Sequence, residues 1–102
     1  MIGKLIVVLG GGESGIGSAI LAAKQGFDVF LSDSGPLQDK HRETLQAYGI
    51  EFEENGHTEE RILRASEIIK SPGIPDTTPL IQKIRNAGIH MISEIEFAGR
   101  YT

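Results

Sequence analysis

A chain of 102 residues, 39% hydrophobic and 24% charged, is the size of one domain with its own core, and its composition is neither that of a disordered tract nor that of a membrane segment. A formal charge of -4 argues against a general nucleic-acid binder, which needs clustered Lys and Arg to neutralise phosphates. Without cysteine there is no disulfide, thiolate metal site or cysteine nucleophile, and no apolar run approaches the roughly 20 residues of a membrane span; with no leader pattern in the first residues either, the sequence reads as cytoplasmic.

Leu5-Ile6-Val7-Val8-Leu9 is an apolar run of buried-strand type. It leads into Gly10-Gly11-Gly12-Glu13-Ser14-Gly15-Ile16-Gly17, and a helical pattern follows over residues 18–25, with Ile16, Ile20 and Ala23 expected inward. Gly10, Gly12 and Gly15 stand at G-x-G-x-x-G spacing: one glycine for the tight turn, one for close approach of phosphates to bare backbone, one for close helix-on-strand packing. N–H groups of the first helical turn, with the helix dipole behind them, make this a phosphate cradle. A carboxylate at Glu13 fits only if it turns to solvent. Glycine turns also occur for packing alone.

Phe27-Asp28-Val29-Phe30-Leu31 is the second strand, ending in the turn cluster Ser32-Asp33-Ser34-Gly35-Pro36. Asp33 lies 18 residues past Gly15, near where a Rossmann-type unit places an acid for a ribose or another polar ligand group. A turn-capping Asp bonded to its own backbone is the competing reading. A helix over 39–48 presents Leu37, His41, Leu45 and Tyr48 on one face, and residues 50–53 alternate as an edge strand. Thr58 opens a short helix with Ile62 and Leu63 inward; residues 66–70 form a fourth strand. Thr78 before Pro79 starts a helix to about Ala87, residues 89–92 are the fifth strand, and Ser93-Glu94 opens a last short helix. Gly26, Gly49 and Gly88 each join a helix to a strand. Five strands alternating with helices predict an α/β, Rossmann-like three-layer αβα domain with a parallel sheet in the order 3-2-1-4-5. That order puts a crevice between the C-terminal ends of strands one and four, with the glycine loop facing the stiff, bare loop Ser71-Pro72-Gly73-Ile74-Pro75.

His41, His57 and His90 are scattered, with no partner at metal-ligand or triad spacing, and read as structural or surface residues. Glu51, Glu53 and Glu54 read as a solvated face, and Glu94 and Glu96 as helix-start acids. There is no G-x-x-x-x-G-K-[ST] loop and no nucleophile with a base, so no catalytic residue is assigned.

Two motifs, Leu9-Gly10-Gly11-Gly12-Glu13-Ser14-Gly15 and Lys70-Ser71-Pro72-Gly73-Ile74-Pro75 leading to Ile92-Ser93-Glu94-Ile95-Glu96-Phe97, together resemble the N-terminal domain of the Mur ligases, and the resemblance covers the whole chain. The second motif is the more specific and points to the member that adds D-glutamate to UDP-N-acetylmuramoyl-L-alanine. The resemblance implies that backbone around Gly12, Glu13 and Ser14 holds the diphosphate between Gly10 and Gly15, with the Ser14 hydroxyl assisting. It places Asp33 and Ser34 at the uracil end and Gly73 on the sugar side. Gly35 departs from a cationic residue found in other members, and Glu13 from an apolar one. The family's P-loop, carbamylated lysine, magnesium ligands and D-glutamate site belong to two later domains, so ATP and Mg2+ are expected of the full-length ligase and no cofactor or metal of this one. With the sequence stopping at Thr102, residues 1–102 are expected to be a single UDP-substrate-binding domain that binds and does not ligate. The alternative readings are an NAD-binding Rossmann module of a dehydrogenase or regulatory sensor, and a structural domain without a ligand.

Overall fold

The computed structural model describes residues 4–101; Met1, Ile2, Gly3 and Thr102 lie outside it, and so do the readings made of the first residues as leaderless and of Thr102 as a domain end. Strands β1 (Leu5–Leu9), β2 (Asp28–Ser32), β3 (Glu51–Glu53), β4 (Glu67–Lys70) and β5 (His90–Ser93) alternate with helices α1 (Glu13–Lys24), α2 (Asp39–Ala47), α3 (Glu59–Ile62), α4 (Pro79–Asn86) and α5 (Glu94–Gly99). All pairings are parallel, and the sheet order is β3-β2-β1-β4-β5, as the alternation of elements predicts. Central β1 is apolar at every position because both faces are covered, and its register with β2 and β4 sets Leu9 beside Ser32 and Lys70.

Alternation along the strands divides the core in two. Ile6, Val8, Leu31, Ile69 and Ile92 face α1, α2 and α5, where Ile16, Ala19, Leu45 and Phe97 meet them. Val7, Leu9, Phe30 and Ile68 face Ile62 of α3 and Leu80, Ile81 and Ile84 of α4. Gly26, Gly49 and Gly88 take positive φ at the helix-to-strand joints.

Several boundaries differ from the sequence reading. Helix α1 begins at Glu13, not at Ser18, because the N–H of Ile16 already bonds the Gly12 carbonyl. Its buried stripe is Ile16, Ala19 and Ala22 with Ser18, while Ile20 and Ala23 are half-buried, since small residues suit a helix lying close on its sheet. Strand β2 starts one residue later than expected; Phe27 packs instead against Phe97, ring centres 6.4 Å apart. Leu63 and Tyr48, both expected inward, are exposed. The single turn of α3 can turn only Ile62 to the core, and Tyr48 stands at the C-cap of α2, where Lys24 covers its ring.

Candidate functional site

At the C-terminal ends of β1 and β4, where the strand order of the sheet reverses, lies a cavity of about 440 Å3. Its walls are the glycine loop at residues 10–12, the end of β2 at Asp33 and Ser34, His57 after β3, and the loop at residues 71–75.

Each glycine of the loop has its own physical reason. Gly10 has a φ of +104°, and a Cβ there would come within 2.9 Å of the Ser71 Cβ, so the two loops can touch only through a bare backbone. At Gly15 a Cβ would collide with the Gly10 carbonyl oxygen, which fixes glycine where helix meets strand end. At Gly11 it would collide with Leu37. Gly12 differs: nothing lies within 4 Å of its Cβ position, so packing does not demand glycine there. Gly12 is also the N-cap of α1 and has no side chain to cap it, which leaves the first-turn N–H groups without the partner a Ser or Asp would supply.

The remaining predicted residues fall around this loop. Asp33 accepts from two backbone N–H groups, Gly11 at 2.7 Å and Gly35 at 2.9 Å, so the turn-capping reading holds and the same carboxylate also pins the glycine loop to the end of β2. Ser34 and Gly73 are exposed and both line the cavity, and the Ser71 Oγ accepts the Gly73 N–H at 3.4 Å. The Glu13 side chain is 83% exposed and pairs with Lys40 at 3.3 Å, which takes its charge out of the loop. Ser14 donates its hydroxyl to Glu94 Oε1 at 2.9 Å. Its only hydroxyl proton is committed there, and Ser14 lies just outside the cavity lining, which the glycine loop supplies only through residues 10–12.

Two side chains were given no part in the site by sequence reasoning. Glu94 is 8% exposed and ties α5 to the first turn of α1; its partner lies 80 residues away, a separation at which no local pattern carries a signal. His57 lines the cavity and contacts Ser32 Oγ at 2.6 Å, again across a distance of 25 residues. Beside it, burial works to raise the Glu53 carboxyl pKa, but hydrogen bonds from the Thr58 N–H and hydroxyl and from Ser32, with the attraction of His57, outweigh that and hold it below the usual carboxylate range. Glu53 is thus not a free solvated acid, in contrast to its sequence reading; Glu54 too is held, accepting from the Leu37 N–H and from Arg42. His41 is buried in α2 and His90 is exposed beside Glu67, both away from the cavity. Among the described residues no three His, Asp or Glu side chains cluster as a metal would need.

The family profile described as "Mur ligase MurD-like, N-terminal domain" matches residues 4–93. The chain belongs to this family. UDP-N-acetylmuramoylalanine--D-glutamate ligase of Bacteroides fragilis is 58% identical over 99 residues, covering 97% of this chain and 22% of the relative. The enzyme of the same name from Chlorobaculum tepidum is 44% identical over 96 residues, covering 94% and 20%. This MurD-like chain therefore spans about a fifth of the length of the curated relatives it matches. A murein peptide ligase from Psychrobacter arcticus shares the fold at a TM-score of 0.87 with 22% identity, over 98% of this chain and 21% of that one. A pseudomurein peptide ligase type C from Methanothermus fervidus gives 0.79 with 26% identity, over 97% and 20%.

Proposed function

We propose that this MurD-like domain binds the UDP end of UDP-N-acetylmuramoyl-L-alanine as the N-terminal part of an ATP- and Mg2+-dependent ligase that adds D-glutamate in peptidoglycan precursor synthesis in the cytoplasm. The observation that carries the reading is Gly12: a glycine kept at an uncapped helix start where neither packing nor φ requires one, at the mouth of a cavity at the sheet's switch point. A phosphate needs that bare backbone and those open N–H groups. In this reading the N–H groups of Gly12, Glu13, Ser14 and Gly15 take the diphosphate, with Gly10 shaping the turn. Asp33 and Ser34 stand at the uracil end and Gly73 borders the sugar. The domain supplies recognition only; the acyl-phosphate chemistry, the ATP and the magnesium belong to the remaining four-fifths of a protein of the relatives' length.

Binding to the isolated domain is expected to be weak, on the order of 0.1–10 mM, because each contact supplied from elsewhere in the ligase is lost at roughly tenfold per 1.4 kcal/mol. An amide-resolved NMR titration with UDP-N-acetylmuramoyl-L-alanine beside NADH tests it. Saturable shifts at residues 12–15, 33–34 and 73 with the uridine ligand alone are expected; shifts of those amides by NADH alone would replace this reading with a dinucleotide module.

A further inference from the structure

The reading above leaves unused a polar cluster that reaches the cavity wall through His57, with Ser32 and Glu53 behind it. Ser32 is fully buried at the end of β2, with its Oγ 2.7 Å from Glu53 Oε2 and 2.6 Å from His57 Nδ1. The proton count decides who donates. Glu53 takes hydrogen bonds from the Thr58 N–H at 2.7 Å and the Thr58 hydroxyl at 2.6 Å, which keeps it a carboxylate able only to accept. The single Ser32 proton therefore goes to Glu53. His57 Nδ1, against the same oxygen, must bring a proton of its own, so the neutral ring is fixed in the Nδ1–H tautomer. Its Nε2 is then a bare acceptor, on a residue that lines the cavity beside Asp33 and Ser34. Asp33, the other acceptor at this end, already has each carboxylate oxygen engaged by a backbone N–H.

We propose that His57 is a specificity-determining residue of the nucleotide site: its Nε2 accepts a hydrogen bond from an N–H or O–H donor on the nucleoside end of the ligand, and the Ser32–Glu53 pair behind the ring sets it as acceptor. The proposal rests on the uridine-nucleotide reading, in which the donors at that end are the uracil N3–H and the ribose hydroxyls. A cytosine ring carries no hydrogen at N3 and would face Nε2 lone pair to lone pair, so the same residue rejects cytidine if the base is the donor.

The test is a side-chain nitrogen spectrum of this chain with 15N-labelled histidine, recorded free and with UDP, CDP and 2′-deoxy-UDP, alongside the backbone amides of residues 12–15. With the ring neutral, His57 of the free protein is expected to show a protonated Nδ1 and an unprotonated Nε2; the opposite tautomer would overturn the proposal. Saturation with UDP is expected to move the Nε2 signal upfield. In H57N the side-chain amide reaches only as far as Nδ1, so the Ser32 contact and the fold are retained while UDP binding weakens about five- to tenfold, the worth of one hydrogen bond. A preference for UDP over CDP that vanishes in H57N assigns the donor to the base, and a preference over 2′-deoxy-UDP that vanishes assigns it to the ribose. If UDP shifts the loop amides and leaves Nε2 unmoved, or H57N binds UDP as the parent does, this proposal fails and the nucleotide reading stands. If UDP shifts no loop amide, both fall.

Discussion

Gly12 and Gly15 are three residues apart at the start of α1 and carry opposite consequences. A serine at position 12 suits the backbone, φ -75° and ψ -178°, and its hydroxyl would cap α1. G12S is therefore expected to leave the fold intact or stabilise it by about 0.3 kcal/mol in urea unfolding, while lowering UDP affinity tenfold or more by filling the cradle. An unchanged affinity would remove the main support for a phosphate at this loop. G15A meets the Gly10 carbonyl instead, and since backbone cannot step aside as a side chain can, it is expected to cost about 2 kcal/mol or more in the same unfolding experiment. The turn role of Gly10 and the packing role of Gly15 were legible in the sequence because spacing encodes them. Glu94 and His57 were not, because their meaning lies in partners 80 and 25 residues away.

Between elements, one carboxylate links α5 to the start of α1, and another adds to the β2–β3 ladder by joining the end of β2 to the turn after β3. The Ser14–Glu94 bond joins the first turns of α1 and α5, and Phe97 packs below it in the core between those helices and the sheet. A double-mutant cycle of S14A and E94A is expected to give a coupling of about 1 kcal/mol, and additive effects would mean that the two helices are held by Phe97 and its apolar neighbours alone. Glu53 gives the second tie a pH signature. Its folded-state pKa lies below the ordinary 4.5, so on acidification the unfolded chain takes up the proton first. The stability it contributes is whole above about pH 4.5 and is lost as pH falls through the lower folded value. Urea midpoints of the parent chain are expected to fall more steeply below that pH than those of E53Q, and parallel curves would contradict the bonding seen around Glu53. The element order and sheet topology were readable because strands and helices alternate with clear periods and a right-handed crossover leaves few solutions. The start of α1 was not, because Gly15 and Gly17 cost a helix interior roughly 1 kcal/mol each by intrinsic preference, and only docking on the sheet overrides that.

At the scale of the whole molecule, charge separates this site from most phosphate sites. The chain carries a formal -4, and among the described residues no Lys or Arg lines the cavity. Lys70, the cation nearest its floor in sequence, is spent on the Ile74 carbonyl at 2.7 Å and on Asp76 at 3.4 Å. A polyanionic ligand bound as proposed would therefore be held by backbone dipoles over short range and repelled by the net charge over long range. Salt acts on these two parts differently: it screens the long-range repulsion, with a Debye length near 10 Å at about 0.1 M, and acts weakly on N–H groups in direct contact with phosphate. Sites built from Lys and Arg lose affinity steeply with salt, because binding there neutralises cations. Here UDP affinity, measured by titration between about 0.02 and 0.2 M NaCl, is expected to stay within about twofold or to rise. A severalfold loss over that range would mean that a side-chain cation reaches the ligand, and Lys40, paired among the described residues only with exposed Glu13 at the loop mouth, is the residue whose substitution by Gln would then be expected to abolish it.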